Sequence, residues 1–236
     1  MTWLVHSAEQ APNPDWQASE AGGRWWWVVD QALTGAGAPL AALYALPRLG
    51  LTRARHSFHL GRVVHAAAEL GLHQVRRTLQ LGQDATGEAE ISGLVDAGAP
   101  PEAMRVLLKS ALTDLAAQRA NEGARVVVEL PGERDAEGRS PFWDGLVRHF
   151  AAGADASQLA QRFGPAFTSH LGMLLPRQSI HAAFLPEATQ QQLGRPASSP
   201  WLDVLQQAGF SDWQHCRIDD GGPIWACCLP SGADKV

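Results

Sequence analysis

The sequence lacks the features that mark membrane, nucleic-acid-binding and disulfide-stabilised proteins. No apolar run approaches the roughly 20 residues that a transmembrane helix needs, and no segment is rich enough in lysine and arginine to predict a nucleic-acid surface. The N-terminus has no basic segment followed by an apolar one, so we expect no signal peptide. Only three of the 236 residues are cysteines, and they lack the spacing of a metal site. We therefore expect a cytoplasmic protein that binds neither nucleic acid nor a membrane.

The composition is that of a globular domain. Apolar residues make up 45% of the chain and charged residues 18%, and the net charge is only −5, which excludes an intrinsically disordered protein. The length suits one domain with a small appendage. We expect residues 1–23 to be a weakly ordered arm, docked by Trp3 and Trp16, and residues 24–230 to be the main domain.

The first half of the main domain reads as a series of strands. Alternating or β-branched and aromatic runs predict strands at 25–29, 39–46, 56–65, 75–81 and 88–95. The small residues of Thr34–Gly37 predict a turn between the first two. We expect these strands to form an antiparallel meander from about residue 24 to residue 95. His56 and His59 would point to opposite faces of their strand, so we expect no metal site.

The pattern then changes to helical spacing. Apolar residues at a period of 3.6 predict an amphipathic helix over 101–120, and the run Arg125–Leu130 predicts a buried central strand. Short helices between 141 and 209 and two strands at 212–218 and 223–229 complete the chain. This order predicts an α/β fold, with one mixed, mostly antiparallel sheet and flanking helices.

Several short motifs occur in the order that they have in one enzyme family. The sharpest are Ser140–Trp143, which reads S-P-F-W, and Asp220–Pro223, which reads D-G-G-P. Val63–Leu70 is similar to V-V-H-A-x-x-E-L, and Val128–Gly132 is similar to A-E-M-R-G. From about residue 25 to residue 229 the chain resembles the bacterial arginine N-succinyltransferase family, whose members transfer succinyl from succinyl-CoA to the α-amine of arginine. The resemblance implies a GNAT-like acyl-CoA N-acyltransferase domain.

The resemblance implies CoA or succinyl-CoA as a co-substrate and no covalently bound cofactor. The CoA pyrophosphate would bind at the start of the predicted helix, where backbone N–H groups and the helix dipole favour anions. Pro100–Arg105 has no glycine there, and prolines lack an N–H group. Arg105 is therefore the candidate phosphate contact, with an ordinary capped helix as the alternative. Leu94 falls at the family's acyl-CoA contact, made through the backbone, unless its strand is simply an edge or splayed strand.

The resemblance also places a histidine proton donor in a segment that reads Gly194–Pro200 here and has no histidine. His181, with His170 further upstream, is the candidate replacement, since a positioned acid or base contributes about 10²–10⁴-fold to the rate. The alternative is that His181 is an ordinary polar residue.

Two carboxylates are candidates for binding a guanidinium substrate. Glu129 occupies the glutamate of the family's A-E-M-R-G, and Asp220 begins the D-G-G-P turn. The alternatives are a paired glutamate at a strand end and a turn-forming aspartate. Pro131 replaces the family's arginine.

These differences leave several functions open. The leading hypothesis is an arginine N-succinyltransferase-like protein that is catalytically reduced or a partner subunit. The alternative is an active acyl-CoA-dependent N-acyltransferase with relocated catalytic residues, which acts on arginine or a related amine. A third is a structural or binding module without CoA. The chain is shorter than typical family members, so we expect uncovered apolar surface and a homo-oligomer, or a hetero-oligomer with a related subunit.

Overall fold

Ten strands form one sheet in the described part of the chain. The computed structural model describes residues 3–31, 38–119, 122 and 124–229, and the turn predicted at Thr34–Gly37 lies outside these ranges. The strands are β1 (Trp3–Ala8), β2 (Arg24–Asp30), β3 (Ala41–Leu46), β4 (Ser57–Ala67), β5 (Leu72–Gly82), β6 (Ala89–Asp96), β7 (Arg125–Glu129), β8 (Ile180–His181), β9 (Ser211–Arg217) and β10 (Pro223–Cys228).

The sheet is mixed and mostly antiparallel. Its strands lie in the order β1-β2-β3-β6-β7-β10-β9-β4-β5-β8, and β6 and β7 are the one parallel pair among the described residues. The central strand β7 buries Val126, Val127 and Val128 completely. Successive side chains on a strand point to opposite faces, so both faces of β7 must be covered. The predicted α/β fold with a single mixed sheet is confirmed, and so is the central position of this strand.

The antiparallel meander predicted for residues 24–95 is wrong. β3 pairs with β6, whereas the hairpin of β4 and β5 lies towards the other end of the sheet, where Ser57–His59 pair with β9. The last two strands of the chain separate these groups, because β10 and β9 lie between β7 and β4. Alternation along a strand specifies which side chains are buried, but it does not specify which strands are neighbours.

Six α-helices flank the sheet in the described residues. They are α1 (Pro101–Gln118), α2 (Pro141–Gly145), α3 (Ala156–Phe163), α4 (Phe167–Leu174), α5 (Glu187–Gln192) and α6 (Trp201–Gln207), and short 3₁₀ turns lie at 68–70, 147–149, 164–166 and 182–184. The apolar face of α1 is buried, as its helical period predicts.

Apolar clusters lie on both faces of the sheet. Leu107 of α1 and Leu205 of α6 pack in one cluster with Val126 and Val128, whereas Val127 belongs to a cluster on the opposite face with Trp25. A third cluster joins helices α2 and α4 to strands β4 and β5.

The N-terminal segment contributes to the sheet. Residues 1–23 were expected to be a weakly ordered arm, but Trp3–Ala8 pair with β2 along their whole length as an edge strand. The Trp16 ring then packs 5.5 Å from the ring of Trp25. No helix within the described ranges is long and apolar enough to cross a lipid bilayer.

Candidate functional site

The parallel strands β6 and β7 diverge in the middle of the sheet. Their pairing covers only Ala89–Ile91 and Val126–Val128. From Ser92 onwards β6 remains paired with β3, while no strand in the described residues pairs with its other edge. Parallel sheets commonly bind ligands at the carboxyl ends of adjacent strands, so the region beyond this pairing, termed the cleft below, is the candidate site.

A β-bulge shapes β6 at this cleft. Ala42 pairs with Val95 and Tyr44 pairs with Ser92, so Gly93 and the half-buried Leu94 together oppose a single residue of β3. Gly93 has φ +58°, and a Cβ atom there would lie 2.7 Å from the Trp25 ring. A bulge leaves one residue outside the regular ladder; the acyl-CoA contact of Leu94 stays a prediction.

The loop that leads from β6 into α1 already uses most of its backbone N–H groups. Oδ1 of Asp96 accepts hydrogen bonds from the N–H groups of Gly98 and Ala99, both at 2.9 Å. Prolines at positions 100 and 101 have no N–H group. The carbonyl oxygen of Pro100 accepts from Ala103 N at 2.9 Å and from Met104 N at 3.3 Å. From Ala97 to Met104, every backbone N–H group except that of Glu102 has an acceptor among the described residues.

Arg105, the candidate phosphate contact, is engaged within the helical layer. Its guanidinium lies 2.8 Å from the carboxylate of Glu102 and donates to Oε1 of Gln207, at the end of α6, at 2.6 Å. An anion at this helix start would therefore meet the carboxylate of Glu102 beside the guanidinium of Arg105.

A chain of buried charges lies at the end of β7. The Arg55 guanidinium bridges Glu90 and Glu129, with both N–O distances at 3.0 Å. Burial works against the positive charge, but the carboxylates of Glu129 and Glu90 outweigh it and raise the pKa of Arg55. Glu90 has no exposed surface and also accepts a hydrogen bond from Ser19. Burial raises the pKa of Glu90, although Arg55 opposes this effect.

A second ion pair lies in the turn between β9 and β10. The Arg217 guanidinium is 2.6 Å from Asp219 and 3.0 Å from Asp220. Oδ1 of Asp220 also accepts from the N–H of Gly222 at 3.0 Å. Burial would raise the pKa of Asp219, but Arg217 outweighs burial and holds that pKa below its usual range. For Asp220, burial and the charge of Asp219 together raise the pKa.

A cavity of about 590 Å³ lies beside this turn. Asp219 and Asp220 line one part of it, and Ser140 and Trp143 of the S-P-F-W motif line another. Its wall also carries Arg134, which donates to the carbonyl of Gly138 and forms no ion pair within the described ranges. The cavity therefore presents both carboxylates and a guanidinium to a small polar ligand.

Comparison with known proteins adds to this geometry. The family model AstA, arginine N-succinyltransferase beta subunit, matches residues 11–231. The chain belongs to the arginine N-succinyltransferase family. An arginine N-succinyltransferase of Shigella boydii is 32% identical over 204 residues, which are 85% of this chain and 58% of the relative. One of Salmonella arizonae is 30% identical over 230 residues, 94% of this chain and 64% of the relative.

A solved structure also shares the fold. Subunit AI of the arginine/ornithine succinyltransferase of Pseudomonas aeruginosa superposes with a TM-score of 0.67 at 23% identity, over 92% of this chain and 62% of that one. The chain therefore spans about three fifths of the length of the relatives that it matches.

The structure places some of the predicted site residues close together and others far apart. Leu94 and Glu129 lie on the two diverging strands, and Asp220 lies in the turn that follows β9. His181 lies on β8, five strand positions from β7, or roughly 24 Å at about 4.8 Å per strand. Its ring faces His65 at 6.3 Å and Phe184 at 5.8 Å, so its described neighbours are not cleft residues. His170 contacts the ring of Phe163 instead.

Sequence reasoning missed three contributors to this region. Arg55, Arg217 and Asp96 lie between predicted elements or at their ends, where periodicity carries no information. A signal for Asp96 was present, because an aspartate two residues before a glycine often bonds the following backbone as an Asx turn. No local pattern indicates the pairing of Arg55 with Glu129, which lies 74 residues away.

Proposed function

We propose that this chain is an arginine N-succinyltransferase-like protein of the acyl-CoA N-acyltransferase class that is catalytically reduced. In this proposal it acts within an oligomer, made of its own copies or of a related subunit, and is not a self-sufficient succinyltransferase. The observation that carries the proposal is the occupied backbone of the loop before α1, with its Asp96 carboxylate.

The loop is poorly suited to a pyrophosphate. Phosphate binding at a helix start depends on free N–H groups that point at the anion, and those of Gly98 and Ala99 are held by Asp96. Asp96 and Glu102 add two negative charges at the place where CoA would bring more. A hydrogen bond to a charged group contributes about 1.5–3 kcal/mol, so the loss of two such bonds weakens CoA binding by one to several orders of magnitude.

The region where the family places its proton donor supports the same proposal. The segment Gly194–Pro200 lies against the end of β7, since Ala197 N donates to the carbonyl of Pro131 at 2.8 Å and Pro196 bridges Gly132. A side chain here would be well placed to serve the cleft. The segment has no histidine, and Arg195 is its one charged residue.

The cavity beside the D-G-G-P turn favours a second candidate function, that of an active acyl-CoA-dependent N-acyltransferase with relocated catalytic residues. An acceptor such as arginine carries a guanidinium and a carboxylate, and the cavity wall offers Asp219 and Arg134 as complementary groups. Succinyl-CoA would then be the co-substrate, held by contacts other than the loop before α1.

Titration calorimetry with CoA tests the proposal. We expect the wild-type chain to bind CoA with a Kd weaker than about 1 mM. Replacement of Asp96 by alanine removes a charge and frees two N–H groups, so Asp96→Ala should tighten binding by about tenfold or more. Asp114→Ala is the matched control, because Asp114 is a half-buried α1 carboxylate that accepts a hydrogen bond from Gln118; it should not change the affinity. Low-micromolar binding by the wild type would contradict the proposal.

A further inference from the structure

The hairpin of β4 and β5 projects beyond the rest of the sheet. β9 pairs with β4 only over Ser57–His59, and β8 pairs with β5 only at Thr78 and Leu79. The two strands pair with each other over their whole length. Residues 60–77, termed the ribbon below, therefore form a two-stranded segment whose outer edges have no strand partner in the described chain. Eight residues of β4 extend it by roughly 26 Å at about 3.3 Å per residue.

The ribbon exposes large apolar side chains. Val64 and Val75 lie directly opposite each other on one face and are 56% and 51% exposed. Leu70 and Leu72, at the tip, are 72% and 45% exposed. These four side chains belong to none of the apolar clusters of the described residues. Packing within a single chain therefore does not explain why these positions are apolar.

The exposed surface continues from the ribbon onto the body of the protein. The ring of His65 faces that of His181 on the neighbouring strand β8, and His181 contacts the ring of Phe184. Phe184 is 85% exposed, the largest exposed fraction among the large apolar side chains described. Val64 and His65 are consecutive on β4 and therefore point to opposite faces of the ribbon. Apolar groups are thus exposed on both sides, with Val64 and Val75 on one face and Phe184 beside the other.

A ribbon that extends beyond its sheet is a favourable place for a contact with another chain. An isolated two-stranded hairpin is marginally stable at best in water, and unpaired edges with exposed apolar groups favour association with another chain.

Charge indicates the kind of partner. The ribbon carries Arg62, Arg76 and Arg77 against Glu69, a net charge of +2. The chain as a whole has a net charge of −5, which leaves −7 on the rest of the molecule. A basic arm on an acidic body is complementary to a second body of the same kind, and opposite charge at an interface favours encounter and register.

We propose that two copies of this chain associate through the ribbon, with each ribbon lying on the acidic body of the other copy. Both ribbons are used in such a two-fold arrangement, so the assembly closes as a dimer and does not grow into a filament. The proposal concerns assembly alone and does not depend on whether the chain binds CoA.

Sedimentation velocity over a range of concentrations tests the dimer. We expect a reversible dimer that high salt weakens. The double variant Val64→Ser/Val75→Ser removes the apolar pair, and Arg62→Glu/Arg76→Glu reverses the charge; each should raise the dimer Kd by about tenfold or more. Val106→Ser is the control, because Val106 is 42% exposed on α1, away from the ribbon. It should leave the dimer Kd unchanged.

Hydrogen exchange locates the contact without a mutation. Amides of residues 60–77 should exchange more slowly at concentrations where the dimer forms than at dilution. A monomer at high micromolar concentration overturns the proposal, as does a dimer that the ribbon variants leave intact. Association with a related chain but not with a second copy overturns it as well. Circular dichroism melts confirm that each variant is folded, which the exposure of the changed residues favours.

Discussion

Nε of Arg55 lies 3.0 Å from the carboxylate of Glu129, and Nη2 of the same guanidinium lies 3.0 Å from the carboxylate of Glu90. Glu129, a candidate substrate carboxylate, is therefore paired within the protein. Both interpretations of Glu129 remain compatible with this pairing, because a substrate guanidinium could still approach the free oxygen. The energetic role of Arg55 does not depend on that choice, since its removal leaves a buried carboxylate unpaired.

Replacement of Arg55 by methionine should be strongly destabilising. The variant keeps much of the side-chain volume but leaves Glu90, which is fully buried, without its cation. Loss of one partner of a buried ion pair costs about 3–5 kcal/mol. Urea denaturation measures the change in the free energy of unfolding. Arg48→Met removes a pair that is largely exposed and should cost at most about 1 kcal/mol; equal effects of the two substitutions would contradict the role given to Arg55.

Glu90 should make the stability depend on pH in a defined direction. Its pKa is raised in the folded protein above the ordinary value of 4.5, so the folded state holds the proton more tightly than the unfolded state. The stability from this group is present below pH 4.5 and is lost as the pH rises through the folded pKa. Wild type should therefore lose stability relative to Glu90→Gln as the pH is raised, by up to about 1.4 kcal/mol per pH unit. Denaturation curves at several pH values measure this difference. A wild type that keeps or gains stability relative to Glu90→Gln as the pH rises would be inconsistent with the prediction.

The bulge in β6 should tolerate no side chain at Gly93. Gly93→Ala forces a residue with a Cβ atom into φ +58°, with the Trp25 ring 2.7 Å from the new atom. Gly87→Ala is a matched control, because Gly87 also has a positive φ, +86°, but nothing lies within 4 Å of its added Cβ. Both variants carry backbone strain, so the difference between them isolates the overlap with Trp25. We expect Gly93→Ala to cost about 1–3 kcal/mol more in thermal or urea unfolding; equal costs would show that the ring moves aside freely.

Much of the fold could be predicted from local patterns, whereas its pairings could not. Alternating or β-branched and aromatic runs indicated β2 to β6, and the change to a 3.6-residue period indicated α1, because that period follows from the geometry of a helix. One neighbour of β4 was predicted correctly, since β4 pairs with β5, and the other was wrong, because it is β9, more than 150 residues later in the chain. Pairing between distant strands depends on which faces and edges are complementary in three dimensions. A single sequence does not specify these pairs.

The candidate site was predictable to a similar degree. Leu94, Glu129 and Asp220 were indicated by motifs, and the structure places them on or beside the strands that bound the cleft. The partners that determine their chemistry are Arg55, which lies outside the predicted strands, and Arg217, which lies at the end of one, and no local pattern indicates which carboxylates they pair with. His181 was selected by residue type alone, and its place at the far end of the sheet follows from the pairing of β8 with β5.

Release of the CoA thiol from succinyl-CoA in the presence of arginine, by the purified chain alone, tests the central claim most directly. The account predicts a rate no higher than that without protein, and the same rate for His181→Ala. Arginine-dependent turnover in the range of about 1–10³ s⁻¹ that is usual for enzymes would contradict it. If His181→Ala abolished that turnover, the missing proton donor would have been replaced by His181.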